Sequence, residues 1–141
     1  MSSEKLLKLI SDEDAEYVDI RFTDPRGKLQ HVTVMSDQVD ADFFVEGFMF
    51  DGSSISGWKS INESDMILKP DLDTAVLDPF TAQPQLIIFC NIIEPSTGEM
   101  YSRCPRSTAV RATNYLKETG IADTAFFGPE AEFFVFDDVK S

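Results

Sequence analysis

The stretch "YVDIRFTDPRGKLQHVTVM", residues 17–35, constrains the fold more than any other part of the chain. Val18, Ile20 and Phe22 alternate with Asp19, Arg21 and Thr23, the two-residue period of a strand with one face buried. Asp24-Pro25-Arg26-Gly27 follows, with proline at the second turn position and glycine at the fourth, as a type I turn prefers. Leu29 to Met35 then returns as a partner strand. A hairpin of this kind must join a larger sheet, because two strands alone do not hold together in water. His31, the only histidine, lies in the returning strand and reads as a sheet-surface residue.

The other elements are short. Ser3 is placed to cap a helix whose Leu6, Leu7 and Ile10 share one face. "DADFFVEG" reads as a second helix, capped by Asp40 and stopped by Gly47. "FMFDGSSISGWKSINES" is rich in glycine and serine and reads as a loop. "DMILKPD", "DTAVLDP" and "QPQLIIFCNII" are strand candidates. Short strands and few helices without a βαβ rhythm make an α+β fold. "EPSTGEMYSRCP" is the clearest boundary, dividing residues 13–97 from 105–141. Beyond it, "PRSTAVRATNYLKETG" predicts a helix with Pro105 in its first turn, Gly120 as its stop, and Val110, Tyr115 and Leu116 on its apolar side. "FFGPEAEFFVFDD" then predicts a strand. One helix and one strand cannot enclose a core of their own, so further chain or a second molecule is expected to cover this part.

Charge narrows the function. The chain has 141 residues, 12 basic and 25 acidic, and a formal net charge of −13. That sign argues against nucleic acid and against an anionic membrane surface, both of which call for a basic face. It suits divalent cations, whose preferred ligands include carboxylates. No apolar run has membrane-spanning length, and "MSSEKLLKLI" lacks the features of a signal peptide, so a cytoplasmic location is expected. Cys90 and Cys104 have no C-x-x-C spacing and make no zinc site; Cys90, inside an apolar run, is expected to be buried and reduced.

Two stretches could carry chemistry. On a strand, Glu130 and Glu132 share a face, roughly 7 Å apart. Buried and unpaired, they would repel until one bound a proton. A divalent ion, or two neighbouring ions, would remove that penalty, with further oxygen ligands from elsewhere. E-x-E is equally compatible with two glutamates at an open strand end. The second stretch is "FDGSSISGW". Asp51 can offer a negative charge and Ser54 a hydroxyl to a small cation, and Trp58 can lie flat against a planar or cationic partner. A surface loop anchored by one tryptophan has the same composition.

"FMFDGSSISGW", "INESDM", "TAVLDPF" and "GPEAEFFVFDD" stand in the order and spacing of bacterial type I glutamine synthetase. The resemblance runs the length of the chain and includes "EYVDIRFTDPRGKLQHVTV" and "CPRSTAVRATNYLKETGIADT". It implies a β-grasp domain over 13–97 and the first helix and strand of a catalytic domain over 105–141. It implies ligation of ammonium to L-glutamate with ATP, through a γ-glutamyl phosphate, with two magnesium or manganese ions neutralising charge. Carried over by motif, Glu130 and Glu132 resemble metal ligands, one for each ion. Asp51 resembles the residue that holds ammonium and helps remove its proton, with Ser54 beside it. Trp58 and Asp65 are implied to lie near an active site shared between subunits of two stacked six-membered rings. Cys104 departs from the family, which often has an acid there to cap the helix. The remaining family ligands lie beyond residue 141, so the chain is expected to be inactive alone. A non-enzymatic β-grasp module that assembles with or regulates a full-length synthetase is the alternative.

Overall fold

A computed structural model describes residues 1–140. Helix α1, Ser3–Asp12, is capped by Ser2, whose hydroxyl accepts from the Lys5 amide. The cap therefore lies one residue before the expected Ser3. The hairpin forms as expected: β1, Tyr17–Thr23, pairs antiparallel with β2, Leu29–Met35, and Val18 faces Val34. Its turn closes through a 3.0 Å bond from the Gly27 amide to the Asp24 carbonyl. The Asp24 carboxylate also accepts from the amides of Arg26 and Lys28. Helix α2, Ala41–Glu46, has Asp40 as its cap, accepting from the Phe43 amide, and ends at Gly47 with φ of 89°.

Four more strands complete the sheet: β3, Phe48–Asp51; β4, Asp65–Pro70; β5, Val76–Leu77; and β6, Gln85–Ile93. Strand order is β2-β1-β6-β4-β3, with β5 pairing with β6. The long β6 joins two halves. Its first part runs parallel to β1, from Tyr17 opposite Gln85, and its second part runs antiparallel to β4, with Ile67 opposite Ile93. Strand β3 forms inside the glycine- and serine-rich stretch that reads as loop. Four residues without alternation carry little strand signal; pairing with β4 decides their conformation.

The core lies where these elements meet. Val18, Ile20 and Phe22 from β1 pack with Leu86, Ile88 and Ile92 from β6 and Met66 and Leu68 from β4. Leu6 and Ile10 of α1 and Phe44 of α2 close this core. Cys90 is buried and free, as expected, and burial raises its thiol pKa. On the hydrogen-bonded surface of β1, Asp19 is only 2 % exposed. It accepts from Arg21, Thr33 and the ring of His31. His31 is thus a surface residue, as its position suggests, but it also holds a buried carboxylate.

Past β6 the chain stays in the same packed body. Tyr101 and Cys104 are both buried in the core, within the stretch that reads as a boundary. Helix α3, Pro105–Glu118, begins at Cys104, which makes no side-chain capping bond. Its expected apolar side stays open: Val110 and Tyr115 are exposed. The expected strand over 126–138 does not form. A strand needs a neighbour for its amides and carbonyls, and none of the described residues supplies one. Phe126, Phe127, Phe133 and Phe134 are all more than 80 % exposed. Pattern alone shows that both faces want cover; it cannot supply the cover.

Candidate functional site

Asp51 is the last residue of β3, and its pair across the ladder is Asp65, the first residue of β4. The sheet therefore sets two acidic residues side by side at its end. Directly opposed side chains in such a pair stand about 5 Å apart at Cβ. The Asp51 carboxylate is held mainly by Ser53: Oδ1 accepts from the Ser53 amide at 2.9 Å and from the Ser53 hydroxyl at 2.6 Å. These bonds, the hydroxyl first, with a smaller contribution from the Ser64 side chain, draw the Asp51 carboxyl below its ordinary value. An exposed, ionised carboxylate with a fixed orientation results. It can hold a small cation or accept a proton from one.

Gly52 explains how the loop leaves the strand so tightly. Its amide donates to the Ser64 carbonyl at 2.7 Å. A Cβ at this position would meet the Met66 sulfur at 2.5 Å and the Ser64 oxygen at 3.0 Å. Only glycine lets the two chains approach this closely. Ser54, expected beside Asp51, is exposed; the hydroxyl that bonds the carboxylate is that of Ser53. An aspartate with a donor two residues on is the pattern of a side-chain-closed turn, and "DGS" carries that signal.

Trp58 is not available to a ligand face. It is 4 % exposed and packs among Phe22, Phe50 and Tyr101, with ring centroids 5.6, 6.1 and 5.7 Å away. Of the two readings of this loop, the structure favours the anchoring tryptophan: the loop folds back so that the indole completes the aromatic core. Tyr101 and Arg103, which sequence reading passed over, donate to the carbonyls of Gly57 and Trp58. Nothing in a turn-rich connector distinguishes them before the fold is known.

Beside Asp65 runs an open groove of about 700 Å³, lined by Lys59, Glu63, Ser64, Glu94 and Thr97. Lys59 forms an ion pair with Glu94, which raises the ammonium pKa, and lies 5.6 Å above the Tyr101 ring. The groove thus combines the acidic Glu63 and Asp65 with the neutralised Lys59–Glu94 pair.

Glu130 and Glu132 lie on exposed backbone outside any helix or strand. Among the described residues neither makes a hydrogen bond or ion pair. No three His, Cys, Asp or Glu side chains among those residues converge on one point. The two glutamates offer the hard oxygen donors that magnesium and manganese take, but not a complete shell. The structure brings Asp51 and Asp65 together; no hydrogen bond or ion pair among the described residues links them to Glu130 or Glu132.

Comparison with known proteins gives two family matches along the chain. Residues 14–95 match the glutamine synthetase β-grasp domain family, and residues 102–141 match the glutamine synthetase catalytic domain family. The chain is 66 % identical to a glutamine synthetase of Cereibacter sphaeroides over 95 % of its own length and 29 % of that protein. It is 59 % identical to the Escherichia coli K12 glutamine synthetase over 99 % of its own length and 30 % of that protein. The cryo-EM structure of Plasmodium falciparum glutamine synthetase superposes with a TM-score of 0.78 at 27 % identity, covering 87 % of this chain and 24 % of that one. The chain thus spans under a third of the length of these relatives. With a β-grasp sheet in place and both matches in chain order, the chain belongs to the glutamine synthetase family.

Proposed function

We propose that this chain supplies the β-grasp domain, over 13–97, and the start of the catalytic domain, over 105–141, of a glutamine synthetase. That enzyme joins ammonium to L-glutamate with ATP, by way of a γ-glutamyl phosphate, in the cytoplasm and as two stacked six-membered rings. The observation that carries the reading is the Asp51 carboxylate: exposed, held by Ser53, and ionised across the neutral range. Asp51 binds ammonium and takes one of its protons, which frees the nitrogen lone pair to attack; a carboxylate suits both steps. Ser53 orients that carboxylate, and Ser54 stands next to it on the exposed side of the turn. Asp65 adds negative charge at the same sheet end, and Trp58 supports the loop from within the core. The site is completed by a neighbouring subunit.

Glu130 and Glu132 each offer one carboxylate to one of two magnesium or manganese ions. Ions held by these carboxylates would supply positive charge to balance phosphate during transfer. Two carboxylates fall short of a full shell, so the remaining ligands would come from other residues of the synthetase.

The test is Asp51→Ala in an assembled synthetase that carries these residues. The expected result is a large rise in the ammonium concentration needed for half-maximal rate, with ATP binding little changed. An unchanged ammonium dependence would refute the role of Asp51.

A further inference from the structure

We propose that Tyr101 and Arg103, on the connector between β6 and α3, are positioning residues that hold the loop after Asp51 in its working conformation. The proposal rests on the ammonium-binding role assigned to Asp51. The loop has a firm start and a weak middle. Gly52 is locked against β4 through the Ser64 carbonyl, but Ser54, Ser56 and Gly57 are exposed. Beyond the short 3-10 turn at Gly52–Ser54, Ile55 donates to Gly52 and Trp58 to Ile55, and of residues 53–57 Ile55 alone is buried. Gly57 has φ of 86°, so the chain there adopts a conformation that it would leave readily if nothing held it.

The connector holds it. The Tyr101 hydroxyl donates to the Trp58 carbonyl at 3.0 Å in a buried position. Arg103 Nη1 donates to the Gly57 carbonyl at 3.0 Å and, more weakly, to that of Trp58 at 3.4 Å. The Tyr101 ring also meets the Trp58 ring edge-on. Tyr101 is itself fixed: its amide donates to the Ile92 carbonyl on β6, and its carbonyl accepts from Cys104, where α3 begins. A continuous path of bonds therefore runs from the start of α3, through Tyr101 and Trp58, to the loop that follows Asp51. A buried carbonyl that loses its donor must find water or move, and either outcome loosens the loop.

Tyr101→Phe removes the hydroxyl and keeps the ring. In this chain, hydrogen exchange at the bonded amides of Ser53, Ile55 and Trp58 is expected to rise about fivefold, the worth of one such bond. In an assembled synthetase, the KM for ammonium is expected to rise about 3- to 10-fold, with the KM for ATP within about twofold. Arg103→Ala should act in the same direction. Val34→Ala, a core truncation in the β1–β2 hairpin, is the control and should shift neither quantity. Unchanged loop exchange in Tyr101→Phe overturns the anchoring, even if Asp51→Ala is impaired. Looser exchange with an ammonium KM unmoved in both Tyr101→Phe and Asp51→Ala overturns the role of Asp51 instead, and with it any role of the connector in that step. An equal rise of KM in Val34→Ala reduces Tyr101 to a general stability residue and also overturns the proposal.

Discussion

Asp19→Asn should destabilise the chain by about 2–3 kcal/mol, because it replaces one oxygen of a buried, triply bonded carboxylate. Oδ1 accepts from His31 Nδ1 at 2.8 Å and Thr33 Oγ1 at 2.7 Å, and Oδ2 from Arg21 Nε at 2.6 Å. Asparagine keeps one carbonyl oxygen for His31 and Thr33. Its amide nitrogen then faces the Arg21 guanidinium, donor against donor. A bond to a charged group contributes about 1.5–3 kcal/mol, and the Asp19 side chain is only 3 % exposed, so water repairs little on that side. Arg21 is less damaged, since Nη2 retains Asp78 at 3.1 Å; this keeps the loss below the roughly 3–5 kcal/mol of a fully stranded buried charge. Burial alone would raise the Asp19 carboxyl, but the bonds from Thr33, Arg21 and His31 outweigh it and leave the group below its ordinary value of 3.8. Between the lowered folded value and 3.8 the unfolded chain binds more protons, so this contribution is complete above that range and fades as pH falls through it. Urea unfolding followed by Trp58, the only tryptophan and a buried one, measures both effects. A loss below about 0.5 kcal/mol at neutral pH, within the range of ordinary surface substitutions, would refute the network's role. So would a wild-type advantage that fails to shrink below about pH 4.

Three further outcomes are expected. Gly52→Ala should cost about 1–3 kcal/mol by overpacking, since its Cβ would press on the fully buried Met66 and the backbone of Ser64; an unchanged urea midpoint would show that β3 and β4 separate freely there. Glu130→Gln and Glu132→Gln should leave stability within about 0.5 kcal/mol of wild type, because both side chains are exposed. Manganese titration calorimetry on this chain should show weak binding that either substitution weakens further, and tight stoichiometric binding would mean the ligands are misassigned. Cys90 and Cys104 are both buried, and burial raises the Cys90 thiol, so an aromatic disulfide reagent should react only as fast as the chain unfolds. Rapid labelling of the native chain would contradict that.

Much of the fold follows from the sequence because the relevant signals are local. Alternation at Val18, Ile20 and Phe22, the Asp24–Gly27 turn, the Asp40 cap and the Gly47 stop each act within a few residues, and each element forms where expected. Motif order likewise marks the family and singles out Asp51, Asp65, Glu130 and Glu132. What only the tertiary structure decides depends on partners distant in the chain. Strand β3 exists because β4 lies beside it, and the same pairing places Asp51 opposite Asp65. Ser53 holds the Asp51 carboxylate because the turn geometry aims its hydroxyl there. Trp58 is core rather than a ligand surface because Phe22, Phe50 and Tyr101, far apart in sequence, converge on it. The stretch 126–138 has all the composition of a buried strand and still forms none. Composition states what a segment would bury; only a neighbour with matching amides and carbonyls lets it do so.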